Sequence, residues 1–115
     1  GIIRPRELSM VGPIPENVYR DLHVDKAFLG IGGISLDVGL TEFNIEDTQI
    51  KKIMIQSARE KIVVADGSKF NKTTFASVAP LGAIDKIVTD RSAPRDAIAE
   101  IEEMGVEVIL AASIT

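Results

Sequence analysis

The chain has 115 residues, of which 45% are hydrophobic and 26% charged, and 17 acidic against 13 basic residues give a net charge of −4. This length suits one domain with an aliphatic core. The acidic balance argues against a free-standing nucleic-acid binder, which normally carries a basic surface. The absence of cysteine excludes disulfides, thiolate metal sites and cysteine nucleophiles.

Other classes of protein are disfavoured by what the sequence lacks. A single histidine, His23, makes a histidine-based zinc site or a Ser-His pair implausible, so we expect no metal. Neither a dinucleotide fingerprint nor a Walker-type loop occurs, and we expect no cofactor. No apolar run reaches the roughly 18 residues that span a bilayer, and no signal peptide opens the chain. We therefore expect a cytoplasmic location and no membrane partner.

The predicted elements alternate between helices and strands along the chain. Helices are expected over residues 14–22, 45–59 and 92–104. Strands are expected over residues 24–31, 61–66, 75–78, 86–89 and 106–110. Asn44 is the expected N-cap of the second helix, and Gly105 the expected stop of the third. This order predicts an α/β fold, with a mostly parallel sheet and helices on both of its faces.

The second predicted helix shows the clearest periodicity. Its core-facing stripe repeats at i, i+3, i+4, i+7 and i+8, and comprises Ile50, Ile53, Met54, Ser57 and Ala58. Lys51 and Lys52 are expected to pair with the acidic residues of the first turn, Glu46 and Asp47, on the solvent face. The acidic residues of the last helix are expected to be solvated; they are Glu100, Glu102 and Glu103.

Ligands of open α/β sheets bind beyond the carboxyl ends of the strands. Three segments are expected there: residues 30–35 with the turn at 39–42, residues 66–72, and residues 90–92. The run Asp66-Gly67-Ser68-Lys69 combines an acceptor, a small residue, a hydroxyl and an ammonium group. This combination suits a phosphorylated polyol, because the carboxylate can accept hydrogen bonds from its hydroxyl groups and the lysine can bind its phosphate. An ordinary turn with a solvated lysine remains the alternative.

Two glycines at this edge and one arginine near the start of the chain also have two interpretations. Gly32 and Gly33 could let a ligand approach the backbone, or only permit a tight turn after the strand. Arg4 could reach an anion, or be one of the solvated charges near the start of the chain. His23 is interpreted as a residue at a helix end that interacts with the helix dipole.

Six strings, in this order and spacing, resemble the C-terminal effector-sensing domain of DeoR-type bacterial transcriptional repressors. They are residues 10–13 (MVGP), 25–34 (DKAFLGIGGI), 39–41 (GLT), 51–55 (KKIMI), 63–70 (VVADGSKF) and 87–90 (IVTD). The resemblance implies a Rossmann-like sensor related to ribose-phosphate isomerase and glucosamine-phosphate deaminase. It also implies that a phosphorylated sugar binds and relieves repression, and that the protein forms a homo-oligomer.

The resemblance also carries site residues over to this sequence. Lys69 matches a lysine at the substrate site of the isomerase relatives, and Asp66 and Ser68 belong to the same string. Arg4 matches an arginine that follows a Gly-Gly pair in the family. The expected ligand-binding residues are therefore Lys69, Asp66, Ser68, Gly32, Gly33 and Arg4.

Two departures from the family pattern qualify this interpretation. The isomerases carry an acidic string after the strand that corresponds to residues 24–31, whereas this chain has no carboxylate there before Asp37. Because isomerisation needs a base, we expect binding without catalysis. An isomerase-like enzyme that uses Asp37, Glu42 or Asp66 as the base is the alternative. The family's phosphate-cradling loop and its winged helix-turn-helix are not in this sequence, so residues 1–115 are expected to be one incomplete sensor domain that reaches operator DNA only through the absent part.

Overall fold

The computed structural model describes residues 2–4, 9–11 and 23–112. Its strands are β1 (Ile2–Arg4), β2 (Ser9–Val11), β3 (Val24–Leu29), β4 (Gly33–Ser35), β5 (Gly39–Glu42), β6 (Ala58–Val64), β7 (Ala76–Ala79), β8 (Lys86–Thr89) and β9 (Glu107–Leu110). Its helices are α1 (Ile45–Ser57) and α2 (Arg95–Glu103), and short 3-10 helices form at Gly67–Lys69 and Leu81–Ala83. None of the helices in these ranges has the length and apolarity that crossing a membrane requires.

A four-stranded sheet with the order β3-β6-β8-β9 forms the centre of the fold, and all its strand pairs are parallel. This confirms the predicted α/β fold. Alternate residues of the strands, such as Ala27, Val63 and Ile87, are completely buried. They join one apolar core with residues of both helices. Burying an aliphatic side chain of this size contributes roughly 1.5–3 kcal/mol, so this core supplies much of the stability.

A second, antiparallel sheet with the order β4-β5-β7 was not predicted. Strand β4 pairs with β5 in a tight hairpin, and β7 then adds to the other side of β5. Gly39 begins β5 with a φ of +92°, which only glycine adopts readily. The strand expected at residues 75–78 therefore forms as β7 in this sheet rather than in the parallel one.

Helix α1 begins where the sequence predicts. The Asn44 side chain accepts a hydrogen bond from the Asp47 N–H at 2.8 Å, as expected of an N-cap. The helix ends earlier than predicted because Ala58 already pairs with Val24 of the parallel sheet. Ile55 is buried although it lies outside the predicted stripe, whereas Ile50 is only half-buried. The helix is therefore packed over more than one narrow face.

Helix α2 begins later in the chain than predicted. Ser92 lies in a turn and Pro94 occupies the N-cap position, so the helix begins at Arg95. Its buried residues Ala97, Ile98 and Ile101 form a stripe with helical spacing. Gly105 follows the helix with a φ of +94°, which confirms the predicted stop. The three glutamates of the last helix are exposed, as predicted.

Strands β1 and β2 form an antiparallel hairpin in which Arg4 pairs with Ser9. The strand character of these two segments was not predicted. The helix expected at residues 14–22 lies outside the described residues. His23, the first residue described after that gap, is exposed.

Candidate functional site at the carboxyl edge of the parallel sheet

Strands β3, β6 and β8 end side by side, because Leu29 pairs with Val63 and Val64 pairs with Val88. We call the edge at which these strands end the carboxyl edge. The N–H of Ala65 still donates to the Val88 carbonyl at 3.0 Å, so the sheet holds the chain up to Asp66. The loops that follow β6 and β8 thus start from neighbouring, rigid strands.

The first of these loops is the Asp66 turn, residues 66–69. One oxygen of Asp66, Oδ1, accepts hydrogen bonds from the Ser68 N–H at 2.8 Å and from the Ser68 hydroxyl. Asp66 thereby caps the 3-10 helix that Lys69 completes. The bond from the Ser68 hydroxyl is the largest cause of a pKa of Asp66 below its usual 3.8, and the bond from the Ser68 N–H is the next. The carboxylate is therefore charged at neutral pH.

The second loop is the Asp90 turn, residues 90–92, and it repeats the same arrangement. Oδ1 of Asp90 accepts the Ser92 N–H at 3.0 Å and the Ser92 hydroxyl. It also accepts the N–H of Gly67 at 3.2 Å, which joins the two turns directly. The Ser92 hydroxyl is the largest cause of a lowered pKa at Asp90. The position of residues 90–92 at this edge was predicted, but the Asp-x-Ser spacing that the two turns share was not.

Gly67 lets the two turns approach this closely. A β-carbon at residue 67 would overlap the Ser92 hydroxyl oxygen and the backbone nitrogen of Ala93. Gly67 is itself buried. Its role in the Asp66 turn is therefore close packing of the backbone against the Asp90 turn.

Lys69 is half-buried at the end of the Asp66 turn. Its positive charge is one of the smaller causes of the lowered pKa of Asp66. Within the described ranges, its ammonium group makes no ion pair with a carboxylate. Among the described residues, the turn therefore offers an ammonium group without a direct ion-pair partner.

Gly32 lies in the connection between the two sheets, and Gly33 is the first residue of β4. The Gly32 N–H donates to the Thr41 carbonyl at 3.0 Å, and a β-carbon at Gly33 would lie 2.5 Å from the Lys72 carbonyl oxygen. Both glycines are buried, and neither has room for a β-carbon. A backbone bridge between Ile34 and Phe70 connects this region to the end of the Asp66 turn.

Arg4 is described in β1 alone, opposite Ser9. The hairpin of β1 and β2 pairs with no other described strand. Its expected place in the binding site stays a prediction.

The acidic residues considered as a catalytic base occupy different surroundings. Asp37 is exposed in the turn between β4 and β5. Glu42 is 5% exposed and forms an ion pair with Lys51, while its Oε1 accepts the Phe43 N–H at 3.2 Å. The expected pairing of Lys51 with acids of its own helix is therefore wrong, because α1 directs Lys51 toward β5. Lys52, the next residue, is exposed.

Metal-binding chemistry has no visible basis in this part of the chain. Across the described residues, no three His, Cys, Asp or Glu side chains come together closely enough to hold a metal ion. Asp66 and Asp90 use one carboxylate oxygen each on their own turns. Among the described residues, the carboxyl edge presents two charged carboxylates, two serine oxygens and the basic side chains of Lys69 and Arg91.

Comparison with known proteins gives a consistent result. Residues 1–91 match the family model described as the DeoR C-terminal sensor domain. The HTH-type transcriptional regulator GlpR of Haloferax volcanii is 34% identical over 109 residues, which are 95% of this chain and 43% of the relative. The HTH-type transcriptional repressor GlcR of Bacillus subtilis is 42% identical over 89 residues, covering 76% of this chain and 34% of the relative.

The glycerol-3-phosphate regulon repressor of Escherichia coli K12 is 28% identical over 94 residues, covering 82% of this chain and 37% of the relative. The chain thus spans less than half the length of each of these relatives. The matched part includes both turns of the carboxyl edge up to Asp90. This chain belongs to the DeoR C-terminal sensor domain family of transcriptional regulators.

Proposed function

We propose that the carboxyl edge binds a phosphorylated sugar as the effector of a transcriptional repressor, without converting it. One observation carries the proposal: Lys69 forms no direct ion pair with a carboxylate among the described residues, and Asp66 in the same turn is charged. An ammonium group binds phosphate and a carboxylate accepts hydrogen bonds from sugar hydroxyl groups. A relative that is named as the repressor of a glycerol-3-phosphate regulon is in keeping with a small phosphorylated effector.

If effector binding is to relieve repression, it must change the relative populations of two conformational states of the protein. A ligand shifts a conformational equilibrium only when it binds the two states unequally. The bridge between Ile34 and Phe70 gives the Asp66 turn a backbone connection to the antiparallel sheet. We expect the effector to act through this connection on the subunit arrangement of a homo-oligomer, and operator DNA to be bound by a part of the whole protein outside this chain.

The absence of turnover is part of the proposal. Glu42 is engaged by Lys51 and by the Phe43 N–H, and Asp66 by Ser68. Asp37 lies on the exposed hairpin turn. A carboxylate held in such bonds is a poor proton acceptor. Incubation with aldose phosphates in D₂O, followed by NMR, is expected to show no exchange of the hydrogen beside the carbonyl group; exchange would favour the isomerase-like alternative.

The binding test uses thermal shifts of the whole protein. The probes are ribose 5-phosphate, fructose 6-phosphate, glucose 6-phosphate and glycerol 3-phosphate, each beside its unphosphorylated parent. At 100 times Kd a ligand stabilises the folded state by about 2.7 kcal/mol, which raises Tm by several degrees. We expect such a shift with a phosphorylated compound only. Stabilisation by none of them, or equally by a parent sugar, would reject the proposed function.

Two lysine variants locate the phosphate. Lys69→Ala is expected to abolish the phosphate-dependent shift and to leave the urea midpoint of unfolding nearly unchanged, because Lys69 lies in a turn. Lys72→Ala is the matched control, since Lys72 is exposed in the same loop and only its backbone N–H makes a described bond, to the Ile34 carbonyl at 3.3 Å. Equal loss of binding in both variants would show that general positive charge, rather than Lys69, holds the phosphate.

A further inference from the structure

Strand β9 is an edge of the parallel sheet, and its outer side pairs with no other described strand. The N–H groups of Glu107 and Ala111 donate to carbonyl oxygens on the side of β8, at 3.0 and 2.7 Å. Because the backbone groups of successive residues in a strand point to opposite sides, Val108 and Leu110 direct their N–H and C=O groups away from β8. No described residue forms a hydrogen bond with these outward groups.

The sequence of β9 lacks the charges, proline or bulge that normally keep an edge strand from pairing. Residues 105–112 contain no proline and a single charged residue, Glu107, and the pairing of β9 with β8 is regular. Ile109 is 39% exposed and Leu110 is 42% exposed. As consecutive residues of a strand they lie on opposite faces of the sheet. An unprotected edge that is apolar on both faces is typical of a strand that pairs with another chain.

We propose that β9 pairs with β9 of a second copy of this chain, antiparallel across a two-fold axis, so that the parallel sheets of two protomers form one continuous sheet. Pairing an edge with itself closes the assembly after two copies. The other edge strand of the sheet, β3, is a poorer partner, because Asp25 and Lys26 are exposed on it and such charges discourage edge pairing. The inference rests on the homo-oligomer of the proposed function and not on its ligand.

The outward backbone groups fix the register of this pair. All of them are used only when Val108 lies opposite Leu110 of the second copy, and Leu110 opposite its Val108. Ile109 then lies opposite Ile109 of the second copy, next to the two-fold axis. Glu107 lies opposite Ala111 of the second copy, which keeps the two glutamates apart. The register therefore places apolar side chains together and no like charges opposite each other, as stable cross-strand pairs require.

Opposite charges at residue 109 test the register in the whole protein. Ile109→Lys places like charges opposite each other and should halve the molecular mass measured by sedimentation equilibrium at micromolar concentration. We expect association to weaken about a hundredfold, because each copy loses a buried isoleucine. Ile109→Glu should have the same effect. An equimolar mixture of the two variants should recover the mass of the wild type, because each lysine then faces a glutamate.

Two further variants separate edge pairing from other effects. Phe28→Lys is the matched control, since Phe28 is 51% exposed on β3, at the opposite edge of the sheet, and its loss should leave the mass unchanged. Leu110→Pro removes an outward N–H but none of the described bonds to β8, and should also halve the mass. Circular dichroism shows whether each variant is folded, and Leu110→Pro decides if Ile109→Lys is not.

A monomeric wild type would overturn the inference, as would Ile109→Lys and Leu110→Pro proteins with the mass of the wild type. Halved masses without recovery in the mixture would overturn the two-fold register. Lower stability of both variants at an unchanged mass would show that β9 is covered by a part of its own chain. Thermal shifts with the sugar phosphates test the proposed function separately: a wild type that associates through β9 and binds none of them would reject the ligand and retain the interface.

Discussion

At the scale of single residues, Gly67 determines how closely the two turns of the carboxyl edge can approach. Its N–H donates to Asp90, and its α-carbon faces the backbone of Ser92 and Ala93. Backbone atoms cannot move aside as the end of a flexible side chain can. The geometry of the candidate site therefore depends on the absence of a side chain at this position as much as on the polar groups around it.

Gly67→Ala is expected to destabilise the protein by about 1–3 kcal/mol, the range typical of overpacking a close contact. Gly82→Ala is the matched control, because a β-carbon at Gly82 would meet no atom within 4 Å. Urea unfolding, monitored by circular dichroism, measures the free energy of unfolding of both variants. The control should stay within about 0.5 kcal/mol of the wild type. Equal free energies of unfolding for the two variants would mean that the Asp66 and Asp90 turns can move apart without loss of stability.

At the scale of elements, the ion pair of Glu42 and Lys51 connects the antiparallel sheet to α1. Glu42 closes β5, whose four residues are all buried, and Lys51 reaches it from the second turn of the helix. A buried carboxylate is tolerated only when its charge is compensated. This pair therefore fixes the position of β5 against α1, next to Gly32, whose α-carbon faces the Glu42 carboxylate.

Lys51→Met is expected to destabilise the protein by about 3 kcal/mol, since it leaves the Glu42 charge buried without its partner. Lys52→Met, one residue further along the same helix, changes an exposed lysine and should cost less than about 0.5 kcal/mol. Adding Glu42→Gln to Lys51→Met should recover part of the loss. Thermal and urea unfolding check all three, and a Lys51→Met protein as stable as Lys52→Met would show that the pair does not compensate a buried charge.

At the scale of the whole molecule, titrating groups lie in two regions of the parallel sheet. Asp66 and Asp90, with lowered pKa values, lie at the carboxyl edge. Lys86, in the first position of β8, donates a hydrogen bond to Glu60 at 2.9 Å, which raises its pKa above 10.5. The free energy of unfolding should therefore respond to acid through the first region and to alkali through the second.

The signs of these two effects follow from the direction of each shift. The aspartates bind protons more weakly in the folded state, so their stabilisation is complete above pH 3.8 and is lost as the pH falls below it. Lys86 holds its proton more tightly in the folded state, so its stabilisation is complete below pH 10.5 and is lost above it. Neutral solutions retain both contributions.

Unfolding measured between pH 2 and pH 7 tests the acid side. The stability difference between the wild type and Asp66→Asn/Asp90→Asn should be constant above about pH 4 and should shrink below it. Lys86→Met should likewise reduce the loss of stability above pH 10.5. An acid response that is the same in the wild type and the double variant would show that the two turns do not stabilise the charged aspartates.

Most of the parallel sheet could be predicted from short stretches of sequence. Asn44 and Gly105 mark helix boundaries through bonds and backbone angles within a few residues, and both predictions were confirmed. The predicted strand at residues 86–89 coincides with β8. The predicted helix over residues 45–59 ends early because Ala58 pairs with Val24, a partner distant in sequence. Ser92 is kept out of the last helix by a local contact, since its N–H and hydroxyl both donate to Asp90.

The sequence by itself determined the alternation of elements, the family and the identity of the polar residues at the carboxyl edge, because these depend on local periodicity, capping and short motifs. Only the tertiary structure decided the antiparallel sheet, the pairing of Lys51 with Glu42 and the joining of the Asp66 and Asp90 turns. The bond between Gly67 and Asp90 spans 23 residues and that between Thr74 and Thr41 spans 33. Such contacts depend on which strands become neighbours, and local sequence does not specify that choice.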